Sequence, residues 1–406
     1  MLIYAIIYSI RLTKSMLVLE AKLEGKTEQY NLIDEAIRTA LFVRNKALRL
    51  WMDVKDSDKY DLNKYCAVLA KEFEFAKKLN SQARQASAER TWSAINRFFE
   101  NCKKKISGKK GYPRFKKRGH SVEYKTSGWK LSEDRKHLTL TDGFKIGRLK
   151  IIGSRDLNFY QIEQIKRIRL VRRADGYYAQ FCVDVDRREE IEPTQTTIGL
   201  DVGLNHFYTD SKGEVVENPR YLRKSERQLK KLQRKVSKRK EGSANRRKAI
   251  KRLAKKHLQV SRQRKDFAVK TARCVVRSND LIAYEDLQIR NMVKNHKLAK
   301  SISDASWSMF CQWVEYFGKV FGKVTVAVPP QYTSQNCSNC GKQVVKTLSQ
   351  RTHHCGSCGT VLDRDHNAAL NILAIGLNRV GHTQIHACGE FDLCQIDASL
   401  SGKLSR

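Results

Sequence analysis

The sequence predicts an α+β protein of several domains, and three observations carry that reading. Apolar residues recur at helical spacing from about 29 to 104. Short stretches with strand-like alternation then run to Asp186, and an isolated one precedes them at 16–26. Beyond residue 190, short apolar strands alternate with helical segments, one of them heavily basic. At 406 residues the chain has ample length for several packed cores.

Charge narrows the function classes. Lysine and arginine number 79 against 42 acidic residues, a formal net charge of +37. Such an excess strains a compact fold by self-repulsion unless a polyanion neutralises it. Nucleic acid is the obvious polyanion. A membrane surface fits less well, because no basic amphipathic helix carries a continuous apolar face, and no membrane partner is expected. Structural RNA-binding proteins share this charge, so charge alone does not imply catalysis. The opening MLIYAIIYSI is too short to span a bilayer and lacks the marks of a secretory signal. Met16 opens a second plausible start, which makes residues 1–15 a leader or a misplaced start codon. The 11 cysteines, with no secretory signal, point to a reducing cytoplasm, where spaced cysteines bind metal more often than they pair.

Each element follows in order. Residues 16–26 read as a strand. Ile33, Ile37, Leu41 and Leu48 mark a helix from about Gln29 to Asp53. Two more helices are expected at about 62–78 and 81–104, the latter with Trp92, Ile95 and Phe99 on one face. The basic, glycine-punctuated loop 103–119 sets Tyr112 and Phe115 among cations that include Arg114 and Lys116. That mixture suits a nucleic-acid backbone with bases stacking nearby, and equally a solvated linker. The alternating stretches to Asp186 include a hairpin, 168–173 turning through Ala-Asp-Gly into 177–185, and predict a small β-barrel or sandwich. The strand at 16–26 can pair into it, which makes the helices an insertion.

Residues 196–216 read as two or three strands. Residues 221–266 then hold 20 lysines and arginines against Glu226, Glu241 and Asp266. Leu229, Leu232 and Val236, with Ile250, Leu253 and Val260, predict an antiparallel helical hairpin turning at 241–245. A charge run is usually a solvated face, but this excess calls for phosphates, with Lys231, Arg234, Lys235 and Lys238 as candidate contacts on one helix. A buried strand at 280–287, a helix from about Asp304 to Phe321 and a strand at 323–329 follow. Residues 363–377 read as a last helix capped by aspartate, and the final thirty or so as loose structure.

Two sets of residues carry chemistry. Cys337, Cys340, Cys355 and Cys358 form paired C-x2-C turns, each followed by glycine, the spacing of a structural zinc ribbon. Four thiolates leave zinc no open position for catalysis. His353 and His354 are not needed as ligands, and Cys66, Cys102, Cys182, Cys274, Cys311, Cys388 and Cys394 are expected as buried or free thiols. Asp201 and Glu285 end apolar strands, and Asp365 opens the last helix. Taken singly, each is more often a cap or loop residue. Three convergent carboxylates repel one another unless divalent cations lie between them, the arrangement that two-metal phosphodiester chemistry uses.

The order strand-Asp, hairpin, strand-Glu, helix-Asp resembles the RuvC-like branch of the RNase H fold. The segments GYPRFKKRG (111–119), IGLDVGL (198–204), YEDLQIRNM (284–292), SISDASW (301–307), YTSQNCSNCG (332–341) and CGSCGTVLDRDHNAALNI (355–372) resemble the TnpB family of bacterial insertion sequences, RNA-guided DNA nucleases related to type V CRISPR effectors. The first hundred residues match only in helical character.

The resemblance implies an α+β multidomain chain. Its parts are a first wedge-barrel strand (1–27), a helical recognition lobe (28–105) and the rest of the wedge barrel (106–190). A RuvC-like nuclease follows (191–330, hairpin 221–266), with the zinc ribbon inserted (331–361), the nuclease completed (362–378) and a tail (379–406). It implies Asp201, Glu285 and Asp365 as the catalytic triad holding magnesium, with the second acid of DRD, not Asp363, as the ligand. It matches Arg351 to an arginine that helps hold the scissile strand. Its implied partners are a guide RNA from the transposon end and target DNA, around a monomeric protein in a bacterial ribonucleoprotein. A miniature CRISPR effector shares every motif. A non-cleaving guided regulator or a strand-transferring transposase fits less well, given three intact acids and no separate DNA-end-binding module.

Overall fold

The structure, a computed structural model, describes residues 16–381 except Ser107 and Leu348. The expected leader, most of the tail, Cys388 and Cys394 lie outside the described residues. Two compact units divide the chain, one ending at Asp186 and the other continuing from Arg187.

The first unit opens with strand β1 (Met16–Glu24), followed by helices α1 (Thr27–Asp53), α2 (Lys59–Glu72), α3 (Glu74–Lys78) and α4 (Ser81–Lys103). Strands β2 (Ser121–Lys125), β3 (Trp129–Leu131), β4 (His137–Leu140), β5 (Arg148–Ile152), β6 (Ile165–Arg173) and β7 (Gly176–Asp184) complete it. The strand order is β2-β6-β7-β1-β5-β4-β3, every pair antiparallel. β1 therefore lies inside the sheet, and the helices are an insertion between it and β2. The barrel or sandwich expected from sequence is a single seven-stranded half-barrel sheet with β2 and β3 at its ends. Among the described residues β2 and β3 form no ladder; a 3-10 turn at Thr126–Gly128 joins them directly.

Helix α1 buries Ile33, Ala36, Ile37, Ala40, Val43, Ala47 and Leu48, one stripe at helical period. The stripe serves two cores. Ile33 and Ile37 join Leu23, Tyr124 and Phe181 of the sheet, whereas Val43 and Ala47 join Leu62, Leu69 and Ile95 of the other helices. The helices consequently share a compact unit with the sheet. Phe73 interrupts the helix expected over 62–78, and Asp58 and Asn80 cap the helices that follow them by accepting from backbone amides. Phe99, expected on the buried face, is 51% exposed.

The second unit contains β8 (Thr197–Val202), β9 (His206–Asp210), β10 (Val215–Glu217), α5 (Tyr221–Ser237), α6 (Ala244–Arg277) and β11 (Leu281–Glu285). After these come α7 (Ile289–Met292), α8 (Ala299–Ala305), α9 (Trp307–Phe321), β12 (Val324–Val328), β13 (Thr352–His354), β14 (Val361–Asp363) and α10 (Arg364–Arg379). Its main sheet runs β10-β9-β8-β11-β12, antiparallel from β10 to β8 and parallel from β8 to β12.

Three expectations are corrected here. The hairpin's second helix does not stop near residue 266 but runs to Arg277, because Ala268, Ala272, Val275 and Val276 continue a buried stripe into the core. Its seam is also thinner than expected: Leu229, Val236 and Val260 are buried, but Ile250 is 46% exposed. The helix expected from Asp304 is two helices, parted at Ser306 by a left-handed residue (φ 60°). Asp304 explains the break. Its carboxylate accepts from the Leu222 and Arg223 amides and from the Arg264 guanidinium, so it is fixed by α5 and α6 and does not start α9.

Candidate active site

Parallel pairing of β8 with β11 aligns Leu200 with Tyr284, so Asp201 and Glu285 follow at neighbouring strand ends. Helix α10 packs across the same strands and begins at the acid cluster. Its close approach depends on two glycines. A Cβ on Gly199 would lie 2.2 Å from the Ala369 carbonyl, and one on Gly376 would lie 2.5 Å from the Ala283 Cβ. Glycine at both points lets the helix lie near enough to bring Asp365 toward the strand acids. Asp363 caps it, accepting from the amides of Asp365 (2.8 Å) and His366 (3.2 Å).

The three acids share one electrostatic environment. Burial raises the Asp201 carboxyl well above its ordinary range, and the charges of Glu285 and Asp365 raise it further. Burial also raises Glu285, with Asp365 adding to it, while a hydrogen bond from Thr333 acts in the opposite direction. That bond is short, 2.6 Å from the Thr333 hydroxyl to Glu285 Oε1. Asp365 is engaged by two arginines: Arg364 donates from Nε and a terminal nitrogen to Oδ1 (2.9 and 2.8 Å), and Arg351 donates to Oδ2 (3.2 Å). Among the described residues, the group of three or more metal-capable side chains drawn within 4.8 Å is the cysteine quartet. The carboxylates are spread more widely, with Asp365 turned to its arginines.

The four cysteines sit on two turns of the same form. Gly341 and Gly359 adopt φ of 76° and 74°, the left-handed conformation that glycine permits, and donate to the carbonyls of Cys337 and Cys355 at 2.9 Å. The sulfurs of Cys337 and Cys358 are 3.6 Å apart, as are those of Cys340 and Cys355. A tetrahedron with zinc–sulfur bonds of about 2.3 Å has edges of about 3.8 Å, so the donor set fits zinc. One zinc per chain is expected by elemental analysis. Cys340→Ser should lower that content and reduce solubility; a zinc-free protein of unchanged stability would overturn the assignment.

The ribbon also builds part of the acid site. Asn367, fully buried on α10, accepts from the Ser338 amide (2.9 Å) and donates to the Asn336 carbonyl (2.8 Å). Asn371 donates to the carbonyls of Thr333 (2.8 Å) and Asn336 (2.7 Å). The Arg364 amide donates to the Arg351 carbonyl (2.6 Å). These bonds fix Thr333 and Arg351 beside the acids. Thr333, Arg364, Asn367 and Asn371 were not singled out from sequence, although all lie within the motifs YTSQNCSNCG and DRDHNAALNI.

Comparison with known proteins places this architecture. Residues 180–296 match the OrfB_IS605 family, described as "Probable transposase", and residues 307–372 match the Cas12f1-like TNB domain. A Streptomyces pristinaespiralis protein provisionally named an RNA-guided DNA endonuclease is 38% identical over 214 residues, 52% of each chain. TnpB-like protein L770 of Acanthamoeba polyphaga mimivirus is 26% identical over 284 residues, 64% of this chain and 53% of that one. By sequence, the chain is similar to proteins named TnpB-like and to proteins named RNA-guided DNA endonucleases. InsQ of Escherichia coli K12, also provisionally named an RNA-guided DNA endonuclease, is 28% identical over 79% of both chains.

The match thus spans about half the length of the Streptomyces relative and over three quarters of InsQ. The fold is similar to Cas12f1 in its complex with guide RNA and target DNA (TM-score 0.53, 14% identity, 86% of this chain and 83% of that one). It is also similar to the mini-RNA-guided endonuclease Cas-phi3 (TM-score 0.56, 8% identity, 92% and 94%). Among the described residues no helix is long and apolar enough to cross a membrane.

Proposed function

We propose that the chain is an RNA-guided DNA endonuclease with a RuvC-like, metal-dependent centre formed by Asp201, Glu285 and Asp365. The observation that carries the reading is the convergence of these acids from two parallel strand ends and a helix start. The sheet order, antiparallel on one side of β8 and parallel on the other, supports a RuvC-like fold. The names of the relatives and the charge of +37 support nucleic acid as both guide and target.

The donor set fits hard divalent cations such as magnesium: oxygen ligands only, buried, and mutually repulsive without a counter-charge. When bound, such ions activate water and stabilise the leaving oxygen of a phosphodiester. The protein's own residues hold and orient that centre. Thr333 fixes the Glu285 carboxylate and favours its ionised form. Arg364, 17% exposed in its side chain, balances Asp365 from within, and Arg351, 45% exposed, reaches outward to meet a strand phosphate.

The direct test is to purify the chain with its bound RNA, sequence that RNA and challenge the complex with a plasmid library. Cleavage beside one short flanking motif, only where DNA matches the RNA and only with magnesium, is expected. RNA mapping to a transposon end would separate this chain from a CRISPR effector. Guided binding without cutting would overturn the nuclease assignment. Thr333→Val should raise the magnesium concentration for half-maximal cleavage by roughly 10- to 100-fold, the usual cost of losing a partner that orients a ligand. Thr333→Ser should restore it, and calorimetric titration with manganese should show the same order. Equal metal affinity in all three proteins would remove Thr333 from this role.

A further inference from the structure

The loop 110–118 is built into the first unit and is not a loose linker. Asn101 donates to the Lys110 carbonyl (3.0 Å), Arg44 to the Arg114 carbonyl (3.2 Å) and Asn45 to the Lys116 carbonyl (2.9 Å). The Lys116 amide returns a bond to Asn45 (3.1 Å). Tyr112 packs against Trp51 and Phe98, at ring separations of 5.8 and 5.2 Å, and Phe99 against Trp51 at 6.1 Å. Tyr112 and Phe99 nevertheless remain 50% and 51% exposed. Two helices hold large rings in fixed positions with half of their surface facing water.

Further along the same helices and loop lie three cations, Arg44, Arg90 and Lys116. Among the described residues none of them has a carboxylate within ion-pair distance; Glu89 binds Lys125, and Glu123, whose charge partly offsets the burial of Arg90, binds Arg167 and Arg169. Burial lowers Arg44 from its ordinary range and the Arg90 charge lowers it further; burial lowers Lys116, followed by the charges of Arg44 and Arg90. A cluster of like charges, partly desolvated and left unpaired, favours an incoming anion. Arg44 and Trp51 are seven residues apart on α1, about 10 Å along the helix. A phosphate at the cations and a base at the rings can therefore belong to one short stretch of strand.

We propose that this loop and the face of α1 and α4 beneath it form a binding site for single-stranded nucleic acid. Arg44, Arg90 and Lys116 take a phosphodiester, and the exposed Tyr112 and Phe99 rings stack on a nearby unpaired base. The proposal deepens the nucleic-acid reading above, on which it rests. Stacking requires a base free of its partner strand, so the site discriminates single strand from duplex without reading sequence.

The test uses the full chain with Lys231, Arg234, Lys235 and Lys238 replaced by glutamine, which reduces competition from the basic hairpin. The probes are a short oligouridine carrying 4-thiouridine, its deoxy counterpart carrying 4-thiothymidine, and a duplex of equal length. Photocrosslinks to the 98–116 region are expected with the single strands and not with the duplex; a preference between the two single strands identifies RNA or DNA as the source. Tyr112→Ala should weaken single-strand binding roughly 5- to 100-fold, with Tyr112→Phe unchanged. Phe99→Ser, on a more exposed ring, gives a second reading if Tyr112→Ala fails to fold.

R90Q/K116Q leaves the loop hydrogen bonds of Arg44 in place and should flatten the log–log salt slope by about 1.4. Equal labelling of the loop by duplex, or crosslinks absent from it, would overturn the proposal. Cleavage is measured separately, so an active nuclease with an unlabelled loop refutes this site alone, and a labelled loop without cleavage refutes the nuclease reading alone.

Discussion

Asp201→Ala is expected to abolish DNA cleavage while leaving guide and target binding largely intact. The residue is the last but one of β8, with its carboxyl partly buried, next to Glu285 across the parallel pair, and so contributes charge to the centre and little surface to a nucleic acid. The expected loss is about 10³-fold or more, the upper scale on which one preorganised charge-stabilising group acts. Glu285→Gln and Asp365→Ala should behave alike, and chelating magnesium should mimic all three. Equal loss of binding and cutting would make Asp201 structural.

A stability measurement gives an independent reading of the same site. Because folding raises the Asp201 carboxyl above its unfolded range, stability falls progressively as pH rises past the unfolded value, and the full cost is reached above the folded one. Asp201→Asn should therefore raise the melting temperature of the magnesium-free protein at neutral and higher pH. A gain of about 2–4 °C is expected for each kcal/mol of repulsion relieved in a domain of this size. The gain should shrink as pH falls and the wild-type carboxyl takes up its proton. A gain independent of pH would show that Asp201 is not held at a charge cost.

Much of this centre was legible in the sequence because it lies where periodicity ends. An acid closing an apolar strand, as in TTIGLD or LIAYE, conflicts with its surroundings, and that conflict is visible without coordinates. The cysteine turns were legible for a similar reason, since ligand spacing is a local property. What surrounds the acids was not legible. The Thr333 hydroxyl meets Glu285 across 48 residues of chain, and Asn371 reaches the Thr333 carbonyl across 38. No spacing rule selects such partners. Whether the sheet closes was not legible, because alternation fixes which face of a strand is buried and not whether the last strand pairs with the first. The length of α6 was missed because its charged half dominates composition, although Val275 and Val276 continue its buried stripe.

The basic hairpin should act on phosphates, and its structure makes that expectation sharper. Lys231, Arg234, Lys235 and Lys238 are all exposed on or just beyond α5, while the acid within that helix, Glu226, is already paired with Lys230 and Lys300. Asp304 ties both hairpin helices to α8, so these cations are presented from a braced element. Phosphate contacts position a polyanion without reading its sequence, and each releases condensed counterions. Replacing the four residues with glutamine should weaken RNA or DNA binding. It should also flatten the log–log salt dependence by roughly three to four if every one meets a duplex phosphate. The flanking motif should stay the same, because no base contact is removed. Affinity across a salt series, followed by a repeat of the motif selection, separates the outcomes. An unchanged slope would leave the hairpin a solvated face, and a changed motif would make it a reader of bases.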